Sequence, residues 1–341
     1  MKRPDLSNYR KESERAGNYF LKKTSSHRFV SSGCVLLDCV LGGGFPIGRI
    51  VNIVGDKAVG KTLLAIEAIA NFHREYPQGK IWYRETEAAF DTEYARMLGL
   101  PVEDVDFGDH KFFTVEDIFD DIRQCIKSIE KENVGIYILD SLDALSDKAE
   151  LERDMDQGTY GATKAKKMSE LFRRVSQLLE DSNILLIIIS QVRDKIGVMF
   201  GEKHTRSGGR ALDFYASQIL YLSQLKKISK TVNKIKRPVG VYVSALCKKN
   251  KIGMPYRSCE FPIIFSFGID NLAACTEWLK SVDRLEEAGL GEVNISSLSC
   301  RSKGISVDTY FKYDKKVRQI VPKVWKELEQ EFMPTFGKYD G

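Results

Sequence analysis

The segment GDKAVGKT, residues 55–62, fits G-x-x-x-x-G-K-[ST], a spacing that binds phosphate. Two glycines let such a loop curl until its backbone N–H groups point at phosphate oxygens, and the helix that follows adds the positive end of its dipole. Gly55, Asp56, Lys57, Ala58, Val59, Gly60, Lys61, Thr62 and Leu63 are therefore the candidate cradle for ATP. In it Lys61 neutralises the β- and γ-phosphates and the Thr62 hydroxyl holds Mg²⁺. A second metal-orienting carboxylate belongs at the end of a buried strand, and the run GIYILD delivers Asp140 there. Hydrolysis also needs a group that activates water. KIWYRETEAAFD offers Glu85 and Glu87, two positions apart and so on one face of an extended chain; residue type does not choose between them.

Such groups need strands and helices to hold them. Short β-branched runs at 50–54, 80–84, 135–139, 184–190, 219–223 and 239–247 alternate with helix-spaced stretches at 61–76, 115–131 and 162–181. That alternation predicts an α/β fold with a mostly parallel central sheet flanked by helices. Residues 1–30 read as a basic amphipathic helical segment for self-association, residues 31–270 as the core, and residues 271–341 as a small α-rich domain with helices at 273–288 and 317–332.

With 43% hydrophobic and 29% charged residues and a mean hydropathy of −0.27, the composition is that of a globular chain. The longest apolar run, residues 184–189, is far too short to cross a bilayer, and a cytoplasmic protein without membrane attachment is expected. Seven cysteines at 34, 39, 125, 247, 259, 275 and 300 contain no C-x-x-C pair, so reduced and mostly buried thiols are expected. The net charge of +5 conceals a division: residues 1–30 sum to +5, residues 31–160 to −12, residues 161–270 to +12 and the remainder to zero. A division of this kind suits a polyanion partner, or solvated faces that pair with each other.

Two basic segments stand out. A loop at 153–161 opens a helix carrying Lys164, Lys166, Lys167, Arg173 and Arg174, with Lys166 and Arg173 on one face; a nucleic-acid surface and a plain solvated face both fit. A second segment, 195–210, joins glycines to Lys203, His204 and Arg206 and reads as a long loop without regular structure, a feature that favours a functional role. The run at 225–237 reads as an exposed basic hairpin.

Beyond the phosphate loop, residues 29–270 resemble the RecA family of recombination proteins. The resemblance rests on VSSGCVLLDCVLGGGFPIGRIVNIVG, TEAAFDTEYARMLGL, ILDSLDALSDKAELE and above all SQVRDKIGVMFGEKHTRSGGRALDFYAS, which is similar to the family's second DNA-binding loop. The MSELFRR run and the lack of an acidic tail resemble recombinases of large bacteriophages. The resemblance implies a RecA-type ATPase core and places Glu87 on the water-activating glutamate, Gln191 on the γ-phosphate sensor, Tyr94 on the aromatic that stacks on adenine and Asp91 on its hydrogen-bonding neighbour. It places Lys249 and Lys251 on lysines that reach a neighbouring subunit's ATP. Lys166, Ser169 and Arg173 fall on backbone-phosphate contacts, with Lys164 competing for the place of Lys166. Arg193, Ile196, Lys203, Arg206, Gly208, Gly209 and Arg210 fall in the DNA loop, Ile196 on its base wedge, and Phe214 on a residue coupling the loop to the interface. Tyr160 departs from the methionine usual in the first loop.

The function so implied is a DNA-dependent ATPase that needs ATP and Mg²⁺, forms a head-to-tail helical filament on single-stranded DNA and pairs it with homologous double-stranded DNA in recombination and repair. Single-strand-binding or loading proteins are expected partners. A ring-forming helicase or an accessory DNA-binding ATPase of the same fold is the rival reading; the segment 190–217 speaks against the first and the set Lys61, Thr62, Asp140 and Glu87 against the second.

Overall fold

The computed structural model describes residues 28–339 except 88–89, 110, 131, 147, 149–160, 195–203 and 207–208. The expected amino-terminal helix and the tip of the first loop lie outside the described residues.

Entry to the core is a small antiparallel pair, β1 (Phe29–Val30) with β2 (Phe45–Pro46), around helix α1 (Val35–Leu41). Then follow β3 (Ile50–Gly55), α2 (Lys61–Glu75), β4 (Lys80–Glu85), α3 (Thr92–Met97), β5 (Val105–Asp106), α4 (Val115–Ser128), β6 (Gly135–Asp140), α5 (Gly161–Glu180) and β7 (Ile184–Asp194). The second half holds β8 (His204–Arg206), α6 (Gly209–Tyr215), β9 (Gln218–Val232), β10 (Ile235–Asn250), β11 (Arg257–Ile264), β12 (Gly268–Ile269), α7 (Asn271–Ser281) and α8 (Val307–Glu331).

One sheet runs β12-β11-β10-β9-β3-β7-β6-β4-β5, with β8 paired to β7. From β9 through β5 every pairing is parallel, whereas β9 to β12 form an antiparallel extension. The central strands are mostly apolar because helices cover both faces. Alternate residues divide between the two layers. Val51, Ile53, Ile136, Ile138, Leu185 and Ile187 pack with α1 and α2, while Ile50, Val54, Tyr137, Leu139, Leu186 and Ile188 pack with α4 and α5. The first layer also takes in Leu272, Cys275 and Leu279 of α7 and Val317, Val321 and Val324 of α8.

Helix α8 begins ten residues before the expected start at 317, because the Ser306 side chain accepts the N–H of Thr309 and caps it at Val307. It is tied to the sheet by Arg257, whose Nε and Nη2 donate to Glu329 at 2.8 and 2.7 Å. The expected helix at 273–288 stops at Ser281, and a separate 3₁₀ turn follows at Glu286–Ala288. All seven cysteines are free, and burial raises the thiol pKa of Cys34, Cys39 and Cys125 to about 12, so they stay protonated.

Candidate active site and nucleic-acid face

Parallel order puts the carboxyl ends of β3, β4, β6 and β7 along one edge, and the candidate residues sit there. The loop after β3 turns into α2 at Gly60, whose φ of +93° is open to glycine; a Cβ there would lie 2.5 Å from Cδ1 of Ile263. A Cβ on Gly55 would likewise lie 2.7 Å from the Leu222 carbonyl oxygen. Neighbouring atoms thus favour glycine at both positions. Lys61 folds back over the loop and donates from Nζ to the carbonyls of Gly55 (2.9 Å) and Asp56 (2.6 Å). Burial lowers its pKa, partly offset by Asp140, Glu87, Asp143 and Asp56.

Asp140 ends β6 and is 8% exposed. Its Oδ2 accepts hydrogen bonds from the Thr62 hydroxyl at 2.7 Å and from the buried Tyr83 hydroxyl at 2.8 Å. Burial raises the carboxyl's pKa, and these two donors oppose the rise. A hydroxyl and one carboxylate are hard oxygen donors, the kind Mg²⁺ takes when nucleotide phosphates and water complete its shell, so Thr62 and Asp140 fit that ion. Among the described residues no group of three or more His, Cys, Asp or Glu side chains forms a metal cage, and a nucleotide-borne Mg²⁺ does not require one.

The two glutamates separate. β4 ends at Glu85, and Glu87 lies past the strand in a bend, so the expectation that both share a face of one extended strand is corrected. Glu85 Oε1 accepts the backbone N–H of Glu87 at 3.0 Å. Glu87 Oε1 accepts from the Ser141 hydroxyl and from Nε2 of Gln191, the latter at 2.7 Å. Gln191 lies on β7, and its backbone N–H is held by Asp143 Oδ2 at 2.6 Å. Below this edge Arg84 anchors β4, donating from Nε to Asp121 at 2.8 Å and from Nη1 to Asp106 at 3.1 Å.

A cavity of about 320 Å³ opens beside the phosphate loop, lined by Ala58, Gly60, Lys61, Thr62, Leu63 and Ile66, and by Phe90, Asp91, Tyr94, Val241, Ile263 and Phe265. Asp91 and Tyr94 are thus beside the loop. Asp91 also caps α3, its Oδ1 accepting from the N–H groups of Glu93 and Tyr94. Larger cavities of about 520 and 640 Å³ lie against α7 and α8, away from these residues. Sequence reasoning missed Ile263 and Phe265, which reach the cavity from the end of a distant antiparallel strand and the turn just after it, and the polar contacts of Tyr83, Ser141 and Asp143. A hydroxyl in a β4 position otherwise filled by apolar groups was the available signal for Tyr83.

Lys249 and Lys251 lie away from this subunit's own loop. Their Nζ groups donate to the Phe214 carbonyl at 2.9 and 3.1 Å, and Lys249 also to that of Asp213, so both cations cap the carboxyl end of α6. The Phe214 side chain is 69% exposed, and Lys251 Nζ lies 5.9 Å from its ring centroid.

On α5, Met168, Phe172, Val175 and Leu179 face the core, while Lys166, Ser169 and Arg173 are exposed at helical spacing on the opposite side. Lys167 is instead tied to Glu116 of α4 at 2.8 Å. The second basic segment is less irregular than expected: β7 runs on to Asp194, residues 204–206 pair with 192–194 as β8, and α6 begins at Gly209. Arg193, Arg206, Gly209 and Arg210 are on these elements; Ile196, Lys203 and Gly208 lie outside the described residues. The basic run at 225–237 forms the far end of the β9–β10 hairpin, as expected.

Comparison with known proteins is consistent with this layout. Residues 16–270 match the family model described as the RecA N-terminal domain. The chain is similar to "Protein RecA" of Leptospira meyeri, 36% identical over 262 residues that cover 76% of this chain and 64% of the relative. It is similar to the proteins of the same name from Trichodesmium erythraeum, 33% identical over 76% of this chain and 69% of the relative, and Colwellia psychrerythraea, 35% identical over 76% and 72%. The alignment thus spans under two thirds of the Leptospira meyeri protein.

Proposed function

Since the chain belongs to the RecA family, we propose that it is an ATP-dependent DNA strand-exchange recombinase, a DNA-dependent ATPase acting as a head-to-tail filament on single-stranded DNA. The observation that carries this reading is the hydrogen bond from Gln191 to Glu87. Gln191 sits on the same strand that continues to Asp194 and pairs with β8, so the residue touching the hydrolytic carboxylate begins the segment assigned to DNA.

In this proposal the N–H groups of residues 55–63 and Lys61 bind the phosphates, while Thr62 and Asp140 hold Mg²⁺. That ion, when bound, neutralises charge on the β- and γ-phosphate oxygens. Tyr94, Asp91, Ile263 and Phe265 enclose the base. Glu87 takes a proton from the attacking water; with Oε1 already accepting two hydrogen bonds, Oε2 is the oxygen that receives it. When Gln191 turns its amide to the γ-phosphate it releases Glu87 Oε1, and the strand passes that change toward the DNA loop. Lys249 and Lys251 leave the α6 carbonyls to supply positive charge to the next subunit's nucleotide, as an arginine finger does. Lys166, Ser169 and Arg173, with Arg193, Arg206 and Arg210, hold the DNA backbone. A heterologous interface that does not close produces a filament. Residues 31–270 form the motor core, residues 1–30 serve self-association and residues 271–341 form an accessory unit. No described helix is long and apolar enough to cross a membrane; we place the protein in the cytoplasm, with single-strand-binding or loading proteins among its partners.

The test is strand exchange with ATP, comparing the wild type with Lys61→Ala and Arg206→Ala. Lys61→Ala should abolish exchange, and Arg206→Ala should lose DNA binding while keeping basal hydrolysis. Normal exchange by Lys61→Ala, or closed hexamers that unwind duplex, would overturn the reading.

A further inference from the structure

Thr86 lies between the strand end at Glu85 and the bend at Glu87, and carries no role so far. Its contacts are unusually concentrated. Its backbone N–H donates to the Asp140 carbonyl at 2.8 Å. Its hydroxyl donates to the Ser141 carbonyl at 2.7 Å and accepts the Ser141 N–H at 2.9 Å. Three hydrogen bonds from one residue thus join the end of β4 to the end of β6, just past their last paired residues, Glu85 and Asp140.

What lies on either side makes this matter. Asp140, next to Ser141, is the carboxylate assigned to the metal; Glu87, next to Thr86, is the one assigned to water. Ser141 is fully buried, and its hydroxyl donates to Glu87 Oε1. A closed path therefore runs from Thr86 across to the Ser141 backbone, out through the Ser141 side chain to Glu87, and back along the chain to Thr86. Parallel strands alone fix Glu85 opposite Asp140 and leave the next residue of each strand free to splay. The hydroxyl removes that freedom. We propose that Thr86 is a positioning residue that sets the separation between the metal-orienting and water-activating carboxylates through its hydroxyl clamp on Ser141. This rests on the assignment of Glu87 made above.

A hydroxyl that merely satisfies strand-end backbone groups would affect stability alone. A positioning hydroxyl affects the chemical step and spares ATP binding, since the phosphate loop and the base cavity do not touch it. Thr86→Val keeps the shape and removes the hydroxyl; Thr86→Ser keeps the hydroxyl. ATP hydrolysis with single-stranded DNA present should show kcat reduced about 10- to 100-fold in Thr86→Val, the order expected from a small misplacement of reacting groups. KM for ATP and the Kd of a fluorescent ATP analogue should change less than about two-fold, and Thr86→Ser should restore kcat to within about two-fold. Ser141→Ala, which cuts the path at its other end and leaves all three hydrogen bonds of Thr86 in place, should show the same kcat-only loss and decides the matter should Thr86→Val fail to fold.

Glu87→Gln is measured alongside. If it abolishes hydrolysis, combining it with Thr86→Val should cost nothing further, because both act on one group. The inference is overturned if Thr86→Val turns over normally, if Thr86→Ser is as impaired as Thr86→Val, or if KM rises as far as kcat falls. Should Glu87→Gln itself hydrolyse ATP normally, the assignment of Glu87 fails and the inference with it; a dead Glu87→Gln beside a normal Thr86→Val sinks only the inference.

Discussion

Glu67 lies on α2, one turn and a half beyond Thr62, with its carboxyl wedged between two glycines. A Cβ on Gly268 would fall 2.2 Å from its Oε1, and one on Gly33 2.7 Å from its Oε2. Oε1 accepts the N–H of Ile269 at 3.0 Å, which ties the phosphate-loop helix to the strand just past Phe265. Burial pushes its pKa up from 4.5 to about 7, against the pull of the Ile269 N–H, Arg74 and Arg318. The sign follows from linkage: the folded chain holds this proton more tightly than the unfolded one, so the stabilisation is complete below the unfolded pKa and lost as pH rises through the folded value. A rise from 4.5 to about 7 corresponds to roughly 3 kcal/mol at most. Glu67→Gln keeps an oxygen for Ile269 and cannot ionise. Urea unfolding, followed by tryptophan fluorescence at several pH values from 5 to 8, should show the variant gaining on the wild type by about 2–3 kcal/mol across that range. A difference that stays constant with pH, or that shrinks, would refute the reasoning.

Lys61→Ala should reduce ATP turnover at least 10²- to 10³-fold, the typical cost of one lost charge-stabilising donor, with the fold intact by circular dichroism. Mixing it with the double variant Lys249→Ala, Lys251→Ala should restore hydrolysis at about a quarter of interfaces, because an intact loop then meets intact lysines; no recovery would place the lysines in cis. Arg173→Ala should weaken single-stranded DNA binding and reduce the slope of log K against log salt by about 0.7, as measured by salt titration of fluorescence anisotropy. Arg257→Ala breaks a half-buried bidentate pair with Glu329 and should lower unfolding free energy by about 1 kcal/mol while leaving KM for ATP unchanged.

Much of the core was legible because its signals are local. The phosphate loop, the strand that ends at Asp140 and the buried runs of β3, β6 and β7 announce themselves by residue type and length. The β9–β10 hairpin was legible too, since a run so dense in lysine suits a solvent-exposed tip, although Ile228 turns inward to pack with Tyr242 and Ile264. Other features were not. Ile263 and Phe265 reach the cavity through an antiparallel extension whose register with β10 no local pattern specifies. From sequence, helix α8 reads as starting at 317 because its first turns bury little besides Tyr310 and Asp314, and its true beginning depends on a serine cap. The long second basic segment reads as loop because glycines and cations obscure a three-residue strand that forms only through pairing with β7.

The glutamates show the same division at the scale of single atoms. Residue type and spacing by themselves point to a loop for nucleotide phosphate, to a strand-end aspartate as the candidate for a metal, and to two nearby glutamates as candidates for activating water; family resemblance then selects Glu87. Why Glu87 differs from Glu85 is a tertiary fact. β4 ends at Glu85, which turns its carboxylate to a backbone N–H, while Ser141 just past β6 and Gln191 on β7 converge on Glu87. Local sequence encodes propensity and pattern over a few residues. Hydrogen-bond partners fifty to a hundred positions away become neighbours only when the parallel sheet brings the strand ends to one edge.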